Sequence, residues 1–237
     1  MNKVTLRGAW IEKLEIEDYR SVKSLSLEFQ PDTQCIVLIG PNGGGKSVIL
    51  EAALNGLTDC LADFYIIAPC HVYECLYRES GKYMVWFFRI KEYHPDFANR
   101  VHGVISQFVG FDWDGEYISR YGSGAGYKIL MWLCLMKYFY REEMVDPSEM
   151  EGVILVDDIE LHLDAEMQSE ILKRICVAFP KIQFIITTHA TKVSRNAPGG
   201  TEFYRVTKGD NGTNAEQYEK YKSFNRLRRI SSRGNRV

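Results

Sequence analysis

Apolar and polar positions alternate from Trp10 to Ile16, with Trp10, Glu12, Leu14 and Ile16 set against Ile11, Lys13 and Glu15; Leu25, Leu27 and Phe29 then interleave with Ser26 and Glu28. A period of two belongs to half-buried strands, so an antiparallel β hairpin turning near Asp18 to Lys23 is expected to open the fold. The pattern then changes. Cys35-Ile36-Val37-Leu38-Ile39 is an unbroken apolar run, as expected of a strand covered on both faces of a parallel sheet. It stops at Gly40-Pro41-Asn42-Gly43-Gly44-Gly45. Past Lys46, the spacing of Val48, Ile49, Ala52 and Ala53 is helical, with Gly56 as the expected C-terminal stop.

Between positions 58 and 120 the periodicity weakens. Val72 to Arg78 and Tyr83 to Ile90 read as strands joined through Glu79-Ser80-Gly81, followed by a loop around His94-Pro95-Asp96 and a short helix near Val101 to Val109. A long apolar helix is expected from Gly126 to Tyr140, a buried strand at Val153 to Val156, and an amphipathic helix at Asp164 to Ala178 through Met167, Ile171 and Ile175. A third buried strand falls at Ile182 to Thr187. Glu202 to Val206 is expected to return near Glu216 to Tyr218 through Gly209-Asp210-Asn211-Gly212, whose Asn-Gly is a strong hairpin signal. No repeat or linker interrupts this order, so one α/β domain over 1–219 and a tail over 220–237 are expected.

Composition narrows the class. With 237 residues, 46% hydrophobic and 25% charged, the chain can bury a globular core, and its net charge of -2 gives no bulk attraction to nucleic acid or membrane. Six scattered cysteines without a CxxC pair fit a reduced, cytoplasmic protein. The longest apolar run, Ile129 to Met136, is far shorter than a membrane span, and the first residues lack the apolar core of a signal peptide.

The chemistry concentrates at two strand ends. Gly40-Pro41-Asn42-Gly43-Gly44-Gly45-Lys46-Ser47 fits G-x-x-x-x-G-K-[ST] between a buried strand and a helix start, the context of a phosphate-binding loop. Its glycines let backbone N–H groups fold around a polyphosphate, and the helix N-terminus adds a favourable dipole. Lys46 is expected to reach the β- and γ-phosphates, Ser47 to ligate Mg²⁺, and Val48 to complete the nucleotide-binding set. Val153-Ile154-Leu155-Val156 then delivers Asp157 and Asp158 to the end of a second strand, where open α/β sheets bind ligands. Asp157 is the expected Mg²⁺ partner and Asp158 the group that orients or deprotonates the attacking water.

GPNGGGKS, GSGAGYKIL, ILVDDIELHLD and IITTHAT, in that order after IEKLEIEDYRSVKSLSLEF, resemble the ABC-type ATPase heads of the RecF, SMC and OLD families. The resemblance implies a P-loop NTPase fold in which an N-terminal antiparallel hairpin precedes a central, mostly parallel sheet. It implies that Ser123 and Gly124 form the signature motif that meets the γ-phosphate held by a second head, giving an ATP sandwich dimer or larger homo-oligomer. It further assigns His189 to sensing the γ-phosphate and Arg20 to a place near the nucleotide phosphates.

Several positions depart from the family pattern. Asp158 stands where Glu is usual and Ile159 where Pro is usual, so hydrolysis is expected to be slow or Glu160 to share the work. Asp164 replaces a histidine, and Gln107 is the one candidate for the glutamine loop, poorly placed. The stretch from Gly56 to Arg120 leaves no room for a long coiled coil. Only 48 residues follow His189, too few for a fused nuclease, so an effector is expected on a separate chain. Residues 220–236 carry seven basic and no acidic side chains with Tyr221 and Phe224 among them, which reads equally as a nucleic-acid or acidic-partner contact and as a solvated tail. The expected function is an Mg²⁺-dependent ATPase switch controlling an effector, a nuclease or toxin, in anti-phage defence. The alternatives are a RecF-like DNA-repair ATPase and a nucleotide-dependent binding module with little turnover.

Overall fold

The computed structural model describes residues 2–60, 95–109, 149, 151–160, 163 and 165–218. Two sheets share a core. Strands β1 (Asn2–Arg7), β2 (Trp10–Tyr19) and β3 (Val22–Glu28) form an antiparallel sheet in that order. The second sheet contains β4 (Cys35–Ile39), β5 (Gly152–Val156), β6 (Ile182–Thr188), β7 (Glu202–Gly209) and β8 (Gly212–Gln217). Its order is β5-β6-β4-β7-β8, parallel throughout except for β8. Three helices are described: α1 (Lys46–Cys60), α2 (Pro95–Val109) and α3 (Ala165–Ala178). The expected hairpin, the three buried strands and the terminal hairpin are all present. The expected strands at 72–90, the helix at 126–140, Ser123, Gly124, Asp164 and the basic tail lie outside the described residues.

Helix α1 explains why the core needs both sheets. Ile49, Leu50, Ala52, Ala53 and Leu57 are buried in one cluster with Val4, Leu14, Ile16, Leu25 and Leu27 of the first sheet and Ile36, Leu38, Leu155 and Ile185 of the second. A helix apolar over much of its circumference has to be covered on more than one side. Gly56 does not end it. The helix runs on to Cys60, and a Cβ at Gly56 would stand 2.7 Å from Val4 Cγ2, so the glycine permits close packing of α1 on β1. Helix α2 likewise starts earlier than the pattern suggested, at Pro95, because proline at the first helical position sacrifices no intrahelical bond.

The simple alternation along β2 also shifts. Leu6 pairs with Ile11 and Thr5 with Lys13, so Glu12 is the extra residue of a bulge. One added residue reverses the phase of a strand; Ile11, Leu14 and Ile16 are buried, while Trp10 and Glu12 are only half-buried.

Gln183 joins the two sheets. Its buried amide accepts from Ile11 N at 2.8 Å and donates to the carbonyls of Ile11 and Thr33 at 3.1 and 3.2 Å. Glu202 does similar work at β7, accepting from Gln30 N and the Tyr204 hydroxyl, each at 2.7 Å. Burial and this carboxylate hold the Tyr204 phenol above its usual range. Because an unsatisfied buried backbone group costs about 1–3 kcal/mol, Gln183→Ala is expected to remove about 2–4 kcal/mol, which thermal denaturation would read as a Tm about 5–15 °C lower.

Candidate nucleotide-binding site

The C-terminal ends of β4, β5 and β6 meet at one edge of the parallel sheet, and the loops leaving them interlock. After β4, the chain turns through Gly43 (φ 74°) and Gly45 (φ 99°), left-handed conformations that glycine adopts without a Cβ penalty. Gly44 N donates to Pro41 O at 3.1 Å, and Ile49 N to Gly45 O at 3.2 Å as α1 begins. Gly40 N is bound to Thr188 O at 3.3 Å, which docks the start of the loop on the end of β6. On the opposite side, a Cβ at Gly45 would overlap the hydroxyl of Thr213 on β8, itself 2.8 Å from Ser21 Oγ in the β2–β3 turn. Gly45→Ala is expected to displace the loop through both its φ and this overlap, with nucleotide affinity lowered by about tenfold to a hundredfold, an effect of about 1.4–3 kcal/mol to be measured by calorimetric titration.

Lys46 is 5% exposed, and its ammonium is held by the carbonyl oxygens of Gly40 and Pro41, both at 3.1 Å. No carboxylate among the described residues pairs with it. A buried cation bound only to neutral oxygens has lost much of its hydration without an opposing charge, so the site is electrostatically prepared for an anion. Ser47 Oγ donates to Asp157 Oδ1 at 3.0 Å, and Thr187 Oγ1 donates to the same oxygen. A hydroxyl and a carboxylate facing each other beside a phosphate-shaped loop are the hard oxygen donors that a Mg²⁺–nucleotide complex takes.

Asp158 follows with φ 43°, a left-handed conformation that Asp and Asn accept more readily than other side-chain-bearing residues. Its backbone N donates to Thr187 Oγ1 at 2.8 Å. Glu160 is 4% exposed, and its Oε1 lies 2.7 Å from His189 Nδ1. Asp158 Oδ1 is 3.8 Å from the same ring nitrogen, and the three side chains bring ligand-type atoms within 4.8 Å of one another. Asp157, Asp158, Glu160 and His189 therefore converge beside Lys46 and Ser47. Arg20 (φ 49°) is mostly exposed and pairs with Glu51 at 2.6 Å, one turn beyond Ser47 on α1. Gln107 lies on α2. Thr187 is absent from the residues singled out by sequence. Its only sign there was a Thr-Thr pair closing an apolar strand.

The topology is the fold of SMC head domains. The SMC head domain from Thermotoga maritima superimposes with a TM-score of 0.55 at 15% identity, covering 88% of this chain and 98% of that one. An AAA domain profile matches residues 13–65, from β2 through α1 and past its end. Septu protein PtuA of Bacillus mycoides (strain KBAB4) is 51% identical over 85 residues, 36% of this chain and 12% of that protein. The Retron Ec83 probable ATPase of Escherichia coli is 43% identical over 49 residues, 21% of this chain and 9% of that protein. The matches thus span a small fraction of the relatives' own length. No described helix is long and apolar enough to cross a membrane.

Proposed function

We propose that the chain binds and hydrolyses ATP with Mg²⁺, that ATP joins two copies, and that the nucleotide state of the pair switches a separate effector in anti-phage defence. The observation that carries this reading is the buried Lys46 ammonium, held among the described residues by the Gly40 and Pro41 carbonyls alone, next to the Ser47–Asp157 pair. An anion of high charge density satisfies the first, and a divalent cation bound to that anion satisfies the second. The Septu and retron relatives support the defence setting over DNA repair.

In this reading the loop amides from Gly43 to Ser47 orient the triphosphate. Lys46 exchanges its two carbonyl partners for β- and γ-phosphate oxygens. Mg²⁺, when bound by Ser47 and Asp157, supplies charge neutralisation on those oxygens. Asp158 takes the proton of the attacking water, and His189 meets the γ-phosphate; Arg20 approaches the phosphates by leaving Glu51. Ser123 and Gly124 of the second copy close the site from outside, so ATP favours the pair and its cleavage releases it. Size measurement by light scattering tests the switch: mass doubles with ATP and Mg²⁺ and returns to the monomer with ADP. A mass independent of nucleotide contradicts it. The short acid Asp158 favours a second reading, a binding module that scarcely turns over, for which ATP binds tightly and no phosphate is released.

A further inference from the structure

Glu160 occupies a buried place between the loops after β5 and β6. One carboxylate oxygen, Oε1, accepts from His189 N at 2.7 Å and from Ala190 N at 3.2 Å, and stands 2.7 Å from His189 Nδ1. The residue is 4% exposed, whereas His189 is 44% exposed in its side chain. The loops around it are already joined: Asp158 N binds Thr187 Oγ1 at 2.8 Å and Ile159 N binds Thr187 O at 3.2 Å. Ala190 N is shared with Thr188 Oγ1 at 3.0 Å. The backbone that carries His189 is therefore anchored to the loop after β5, with Glu160 spanning them from one side and Thr187 from the other.

A general base must reach the water it deprotonates. Glu160 Oε1 instead accepts from two backbone amides and faces His189 Nδ1 at 2.7 Å, and Oε2 is buried without a partner among the described residues. Asp158, the other acid, is part-exposed and lies on the same side of the imidazole. We infer that Glu160 is a positioning residue: it fixes the loop after β6 and holds His189 through Nδ1, so that Nε2 is the ring atom left to meet the γ-phosphate. A carboxylate behind a histidine sets ring orientation and tautomer in the same way at other sites. The inference rests on the ATPase reading for its functional meaning, although the contact itself is independent of nucleotide.

Two substitutions separate positioning from proton transfer. Glu160→Ala removes the acceptor for both amides and the ring, and kcat is expected to fall about 10–100-fold while KM for ATP stays within about threefold. In Glu160→Gln the amide oxygen still accepts from His189 N, Ala190 N and the ring, so kcat is expected to remain within about threefold of the unmodified chain. The ¹⁵N ring signals of His189, recorded without nucleotide, are expected to report a protonated, hydrogen-bonded Nδ1 in the unmodified chain and in Glu160→Gln, and its loss in Glu160→Ala. Equal inactivation by Gln and Ala overturns the inference in favour of a proton-transfer role; a Glu160→Ala form that turns over normally, or one that keeps the ring signature, overturns it without assigning Glu160 a proton. An unmodified chain that binds no ATP overturns the ATPase reading instead, and the ring signals then still decide whether Glu160 holds His189.

Discussion

Lys46→Ala reduces phosphate release by about 10²–10³-fold or to background, the loss expected when one preorganised charge is removed from a phosphoryl-transfer site. The same substitution leaves the nucleotide-free protein as stable as before. Lys46 is 5% exposed and, among the described residues, its ammonium meets two carbonyl oxygens and no carboxylate, so its burial costs stability that the contacts only partly offset. Stability and function therefore separate at this residue. Thermal denaturation with saturating ATP and Mg²⁺ raises the Tm of the unmodified chain through ligand linkage and leaves that of Lys46→Ala unmoved. A Lys46→Ala protein that unfolds at room temperature contradicts this account, because it makes Lys46 structural. So does one that still hydrolyses ATP normally.

Asp158→Asn abolishes turnover while leaving ATP binding intact. Asn keeps the left-handed backbone of φ 43° and the bond from the backbone N to Thr187 Oγ1, so the loop is retained and only the proton acceptor is lost. Removing a general base costs about 10²–10⁴-fold. Because ATP is bound and not cleaved, the paired form persists, and light scattering of Asp158→Asn with ATP and Mg²⁺ gives a doubled mass stable over hours. Hydrolysis at the unmodified rate assigns the base elsewhere. Loss of both pairing and binding assigns Asp158 to nucleotide contact.

The parts of this molecule that are legible in sequence are those where local pattern and tertiary environment agree. Cys35 to Ile39, Val153 to Val156 and Ile182 to Thr187 are apolar at nearly every position because parallel strands are covered on both faces, and the loop after β4 needs glycine for its backbone conformations. Other features depend on contacts across the chain. Strand β1 is hidden because only Val4 of Asn2–Arg7 is fully buried, the remainder being polar or at the sheet margin. The bulge at Glu12 depends on the partner strand. Gly56 resembles a helix terminator until Val4 is placed beside it. Gln183 interrupts an apolar strand for a reason visible only when Ile11 and Thr33, distant in sequence, arrive at its amide.

The same distinction runs through the site. Lys46, Ser47 and Asp157 follow from two motifs, and the structure brings them together at adjacent strand ends. Glu160 could be identified as an acid near the site, but its burial and its hold on His189 arise from the packing of the loop after β5 against that after β6. Arg20 shows the converse, since it pairs with Glu51 in the structure while the family resemblance directs it to phosphate.

Calorimetric titration of ATP into the full chain in excess Mg²⁺ tests the central claim most directly. The buried ammonium and the hydroxyl–carboxylate pair predict saturable binding of one ATP per chain at about micromolar Kd, roughly 8 kcal/mol of binding free energy, with Lys46→Ala losing it. Absence of saturable binding at millimolar ATP in a folded chain contradicts the account.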